Sequence, residues 1–180
     1  MAAGVYGVGN FANTFLVLKT TEGLMQTLGI IEASRLGTLL YILLNIGSAI
    51  FAYVFGALGD RFNKRLLLAL GYLIFGVYCI GFIVLTPEVL TYAVLFLLAG
   101  VETGAIDSTA RAYASELLGE TERGTGFGVM STIDGVGDFT SSTVAGTLWT
   151  LSSSTFTFAY GAMLGFAAMG ILLLLNTSPN

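Results

Sequence analysis

Six apolar stretches, each long enough to cross a bilayer, occupy almost all of the 180 residues. A helical span needs about 20 mostly apolar residues to cross a hydrocarbon core about 30 Å thick, and only helices or closed barrels satisfy every backbone group there. The stretches run far past the length of a barrel strand, so the expected fold is an all-α membrane protein. With 55% hydrophobic and 10% charged residues the chain has too little polar surface to cover a water-soluble globule, which normally carries about 25% charged residues. Spans are expected near 3–18, 36–58, 66–86, 90–111, 124–150 and 156–175, forming a single domain with hardly any soluble mass.

Sidedness follows from the turns. An even number of spans places both termini on one side, with the turns at 59–65 and 112–123. That side holds Arg61, Lys64, Arg65, Arg111 and Arg123, against Lys19 and Arg35 opposite. A Lys/Arg excess in short loops marks the cytoplasm, so both termini are expected inside. The first stretch lacks a basic flank before it, and Lys19 lies beyond it, so it reads as a retained span rather than a signal peptide. Most charge sits in turns, so its distribution says more than the net −4; membrane lipid is the expected partner and nucleic acid is not. Histidine is absent and Cys79 is the single cysteine, so neither a disulfide nor an ordinary zinc site can form within one chain.

Glycines in the first span (Gly4, Gly7, Gly9) and the fifth (Gly124, Gly126, Gly128, Gly135, Gly137) are expected to let helix backbones approach closely, or else to let these helices bend. The segment 19–35, with Glu22, Glu32 and Arg35, reads as a loop.

The turn after the second span reads Gly56-Ala57-Leu58-Gly59-Asp60-Arg61-Phe62-Asn63-Lys64-Arg65. A helix that must stop, reverse within a few residues and restart needs residues tolerant of unusual backbone angles, and charge that stays in water. Asp60 could accept hydrogen bonds from the N-terminal amides of a neighbouring helix, such as the one opening at Gly124, while Arg61, Lys64 and Arg65 could pair with Glu116, Glu120 or Glu122. A solvated turn without partners is the alternative. This turn resembles the loop signature G-x-L-x-D-R-x-G-R-[KR] of the major facilitator superfamily, found between the second and third helices of a six-helix half. Gly56, Leu58, Asp60, Arg61 and Arg65 match it; Lys64 stands for arginine and Asn63 for glycine. Asparagine is the non-glycine residue most at home in the left-handed region, so the departure is mild.

The resemblance extends along the chain and is closest to the C-terminal half of bacterial drug and solute permeases. The runs Gly9 to Leu16, Tyr41 to Asn45 and Arg123 to Gly128 resemble parts of helices seven, eight and eleven of such proteins. The resemblance implies one half built as a 3+3 inverted repeat, working in secondary transport of a small solute with a second six-helix half, in the plasma membrane of a bacterium or archaeon. It also implies that Asp60, Arg61 and Arg65 clamp the cytoplasmic side in one state of the cycle. No prosthetic group is implied.

Ionisable groups at membrane depth are costly and are functional candidates. Glu102 and Asp107 fall in the fourth span, Asp134 and Asp138 in the fifth. Asp134 and Asp138 are four apart, hence on one helical face with Ser131, Ser141 and Ser142 nearby. With Glu102 they are candidates to carry a proton, against a structural link to Arg111. Asp107 and Arg111 share a face at the cytoplasmic end of the fourth span and are expected gate partners, with Glu116. Tyr6, Asn10, Asn13 and Asn45 are polar at membrane depth and need an interhelical partner or a wet cavity; they are candidates to line a solute path. Trp149 and Tyr160 are expected in an interfacial aromatic belt.

Two other readings compete. Gly135-Val136-Gly137-Asp138 fits the G-x-G-D pattern of intramembrane aspartyl proteases, with Asp107 as a second carboxylate, but Asp107 follows Ile106 rather than tyrosine and no span contains proline. The other is a non-transporting scaffold, or a fragment, derived from a transporter half.

Overall fold

A computed structural model describes residues 2–117 and 123–174. Every regular element in it is helical: α1 (Ala2–Gly9), α2 (Thr14–Leu28), α3 (Ile30–Gly59), α4 (Lys64–Val84), α5 (Val89–Leu117), α6 (Arg123–Leu151) and α7 (Ser154–Leu174). Helix α3, helix α4, residues 89–115 of α5 and helix α7 are long and apolar enough to cross a membrane. Helix α6 has the length, but Asp134, Asp138 and its many hydroxyls and glycines lower its apolar character.

The first expected span is not one helix. It divides into α1 and α2 around an irregular segment, Asn10 to Asn13. Nor is 19–35 a loop. Helix α2 continues to Leu28, burying Leu16, Thr20 and Leu24, and α3 begins at Ile30. The chain reverses at Gly29 alone, whose φ of 78° lies in the left-handed region that a side chain would disfavour. Glu22 and Gln26 are exposed while Leu16, Thr20 and Leu24 are buried, so a helix with a buried face stands in what composition reads as loop.

Two close helix contacts organise the bundle. Helix α5 presents Gly100 and Gly104, one turn apart, to α3. A Cβ at Gly100 would lie 2.5 Å from the carbonyl of Leu44, and one at Gly104 would lie 2.5 Å from that of Ser48. The two backbones therefore touch, as small-xxx-small pairs allow in membranes. Between α4 and α7, Gly165 meets the Phe75 ring and the backbone of Tyr72, while Gly76 lies under Phe166. Among the glycines expected to serve this purpose, Gly9 lies tightly against Leu164 and Gly137 approaches the carbonyl of Gly7, but Gly4, Gly7, Gly124, Gly128 and Gly135 have open space where a Cβ would go.

The core is aromatic. Phe11, Phe75, Tyr78, Phe82, Phe96 and Phe158 are buried, and Phe82 and Phe158 stack at 4.9 Å. Trp149 joins this cluster by packing on Phe15 and Phe158. Exposed apolar side chains such as Ile42, Ile46 and Ile50 on α3 and Val77 and Ile80 on α4 form the surface suited to lipid.

Candidate functional site

The segment between α1 and α2 leaves backbone groups without their helical partners, and neighbouring helices supply replacements. The Ser141 hydroxyl donates to the carbonyl of Asn10 at 2.8 Å, the Ala12 amide donates to Ser142 Oγ at 3.2 Å, and the Tyr160 hydroxyl donates to the carbonyl of Val8 at 2.9 Å. Irregular backbone at membrane depth is tolerated only with such partners or beside water. Phe11 anchors the segment from inside, buried against Phe15, Phe75 and Phe158. Asn10 and Asn13, on either side of it, are half-buried, and their side chains make no hydrogen bond among the described residues. Asn45 turns back on its own helix, donating to the Tyr41 carbonyl at 2.7 Å.

Tyr6, four residues before Asn10, is buried and donates its hydroxyl to Glu102 Oε1. Its ring stacks on Tyr72 at 4.5 Å and meets the Phe75 ring edge-on. Glu102 is 2% exposed, and its second oxygen accepts from the Thr103 hydroxyl at 3.3 Å. No lysine or arginine forms an ion pair with it among the described residues. The fold thus brings together two residues, 96 positions apart, that the sequence offers for different tasks.

A second polar region lies between α5 and α6. Arg111 approaches Asp107 at 3.9 Å, with both side chains more than half exposed, and such exposed pairs contribute little on their own. Arg111, Phe127, Met130, Ser131 and Asp134 line an open cavity of about 400 Å³. Along α6, Thr132, Thr140, Thr143, Thr147 and Thr150 each donate to the carbonyl four residues back. Their hydroxyls need no outside partner. Asp134 and Asp138 are different: both are exposed on the bundle surface, and neither carboxylate has a hydrogen bond or ion pair among the described residues.

The charged turn is compact. Asn63 caps α4 by accepting the Arg65 amide at 2.9 Å, a cap in which glycine would leave that donor without a side-chain partner. Arg65 reaches the far end of α7, donating through Nε to the Leu172 carbonyl at 2.6 Å and through its guanidinium to that of Leu173 at 3.2 Å. A cation on the last carbonyls of a helix satisfies orphan acceptors and complements the helix dipole. Gly56 and Leu58 lie in the last turn of α3; Asp60 and Arg61 are exposed, with no side-chain partner among the described residues. Glu116 sits at the end of α5, but its side chain lies outside the described residues, as do Glu120 and Glu122.

The cap on Val8 is what sequence reasoning missed, since nothing local to Tyr160 distinguishes it from a belt residue. Ser141 and Ser142 carried a weak signal, adjacent hydroxyls three and four residues after the second of two paired acids.

Residues 2–180 match the family model described as Major Facilitator Superfamily. The chain is also 32% identical, over 177 residues, to an uncharacterized MFS-type transporter of Methanocaldococcus jannaschii. That similarity covers 97% of this chain and 43% of the relative, so the chain spans less than half the relative's length.

Proposed function

Because the chain belongs to the major facilitator superfamily and is an integral membrane protein, we propose that it works as one six-helix lobe of a secondary carrier for a small solute. The observation that carries this reading is α6. It exposes Asp134 and Asp138, without a hydrogen bond or ion pair among the described residues, on a helix flanked by membrane-spanning ones. An ionisable side chain at the centre of a span costs about 2.5–3.5 kcal/mol on insertion scales, so such groups face water or protein rather than lipid. Superfamily carriers have two six-helix halves with the solute between them, and α6 has the character of a wall of that space. A second half, either another copy of this chain or a separately encoded one, would supply the opposite wall.

In this reading both termini are cytoplasmic. The turn Gly56, Leu58, Asp60, Arg61, Asn63, Lys64 and Arg65 serves as the gate on that side, with Asp107, Arg111 and Glu116 as partners. Asn10 and Asn13 line the solute path, aided by Asn45, and Asp134, Asp138 or Glu102 carries a coupling proton. Arg65 supports the gate assignment by tying the turn to α7, so that movement of one is transmitted to the other.

Mass measurement of the protein in lipid nanodiscs, combined with proton uptake by sealed vesicles, tests the proposal. Particles with two six-helix units and proton uptake abolished in Asp134→Asn agree with it. Single units whose vesicles pass no proton in either form would refute it.

A further inference from the structure

Helix α1 packs on α7 and α6 and ends at the irregular segment that carries Asn10 and Asn13. Its side-chain hydrogen bond to α5 is that of Tyr6 to Glu102. The same residue meets α4 through its ring, on Tyr72 and Phe75. One side chain thus fixes a helix of 8 residues at two points across the bundle. Beyond Gly9 the helical ladder is interrupted, so α2 does not hold α1 in place as a continuous helix would. We infer that Tyr6 is a positioning residue: by holding α1 to Glu102 it sets where Asn10 and Asn13 stand, and passes the state of the Glu102 carboxyl to them. This rests on the proposal that those two asparagines line the solute path.

The surroundings of Glu102 leave it few other correspondents. Tyr6 faces it from α1, and Tyr72, Tyr78 and Cys79 lie within electrostatic reach on α4. Thr103 and Asp107 do so on its own helix. Helix α3 meets this part of α5 with Ser48 and Ala52, neither of which titrates. None of these groups is a cation, so the tyrosine hydroxyl is the donor that reaches across from another helix. A hydrogen bond to an ionised carboxylate is shorter and stronger than one to a neutral acid. Loss of the Glu102 proton therefore tightens the hold on α1, and gain of the proton loosens it.

The test uses the full chain in nanodiscs with Cys79→Ala and spin labels at Gly4→Cys and Leu70→Cys. Gly4 has open space where a side chain would go, and Leu70 is exposed on α4. Pulsed electron resonance then reads the α1 to α4 distance distribution. Tyr6→Phe keeps the ring and removes the donor; the expected result is a second or visibly broader population. Glu102→Gln keeps an acceptor but is fixed in the neutral state, so it is expected to shift part of the population toward the Tyr6→Phe distribution, whereas Glu102→Leu is expected to reproduce Tyr6→Phe in full, with no further change in the double variant. Should Glu102→Leu fail to fold, the comparison of Tyr6→Phe with Glu102→Gln decides. An unchanged distribution in Tyr6→Phe overturns the inference. Labelling of Asn10→Cys by a water-soluble thiol reagent separates the two claims. A reactive thiol with an unmoved distance defeats the positioning role alone, and an unreactive thiol defeats the solute-lining reading on which that role depends.

Discussion

Arg65 is a motif residue with partners on α7, the carbonyls of Leu172 and Leu173. Arg65→Ala removes hydrogen bonds from a charged donor, worth about 1.5–3 kcal/mol each at most, and the predicted result is a clearly lower melting temperature in detergent. Arg65→Lys should recover only part of the loss, since a point charge cannot reproduce the fork that spans two carbonyls. Ser141 makes a subtler case. Ser141→Ala leaves the Asn10 carbonyl without its donor, and the expected effect is faster amide exchange confined to residues 8–13, with little change in melting. The sequence marked Asn10, Asn13, Glu102 and the turn as chemically notable, because a polar group at membrane depth stands out against an apolar background. It could not pair Tyr6 with Glu102, since the contact depends on how α1 lies across the bundle.

Among the helices, close packing falls where backbones converge rather than where glycines are densest. The fifth span is richest in glycine, yet several of its glycines face open space; Gly100 and Gly104 form the contact with α3. Gly104→Leu is therefore predicted to unfold the protein or lower its melting temperature by several degrees, because the obstacle at 2.5 Å is backbone and cannot rotate away. Gly128→Ala, with nothing within 4 Å, is predicted to melt like the parent or slightly higher. Spans were legible from hydropathy for α3, α4, α5 and α7. The interruption between α1 and α2 was not, because its backbone groups are satisfied by Ser141 and Ser142, 131 and 130 residues away. No local pattern carries that information. Helix α2 was missed for the opposite reason: its local polarity is real, but exposed Glu22 and Gln26 alternate with buried Leu16 and Leu24 on one helix.

Across the molecule, two kinds of outer surface are distinguishable. Helices α3 and α4 expose isoleucine and valine, as lipid requires, whereas α6 exposes Asp134, Asp138 and Ser131 interleaved with Val129, Ile133, Val136 and Phe139, and its Ser131 and Asp134 line the cavity shared with Arg111. Family and broad architecture were legible in the sequence because the charged turn and the hydropathy pattern are both local features. The assignment of faces was not, since apolar helices of similar composition can be arranged in many ways. The measurement that most directly tests the central claim, that α6 borders an aqueous solute path, is thiol labelling in sealed vesicles. Single cysteines at Ser131, Gly135, Ile42 and Val77, each with Cys79→Ala, are treated with a water-soluble maleimide. Labelling is expected to be rapid at 131 and 135 and almost absent at 42 and 77. Labelling at 131 and 135 as slow as at 42 and 77 would place α6 against lipid and contradict that claim.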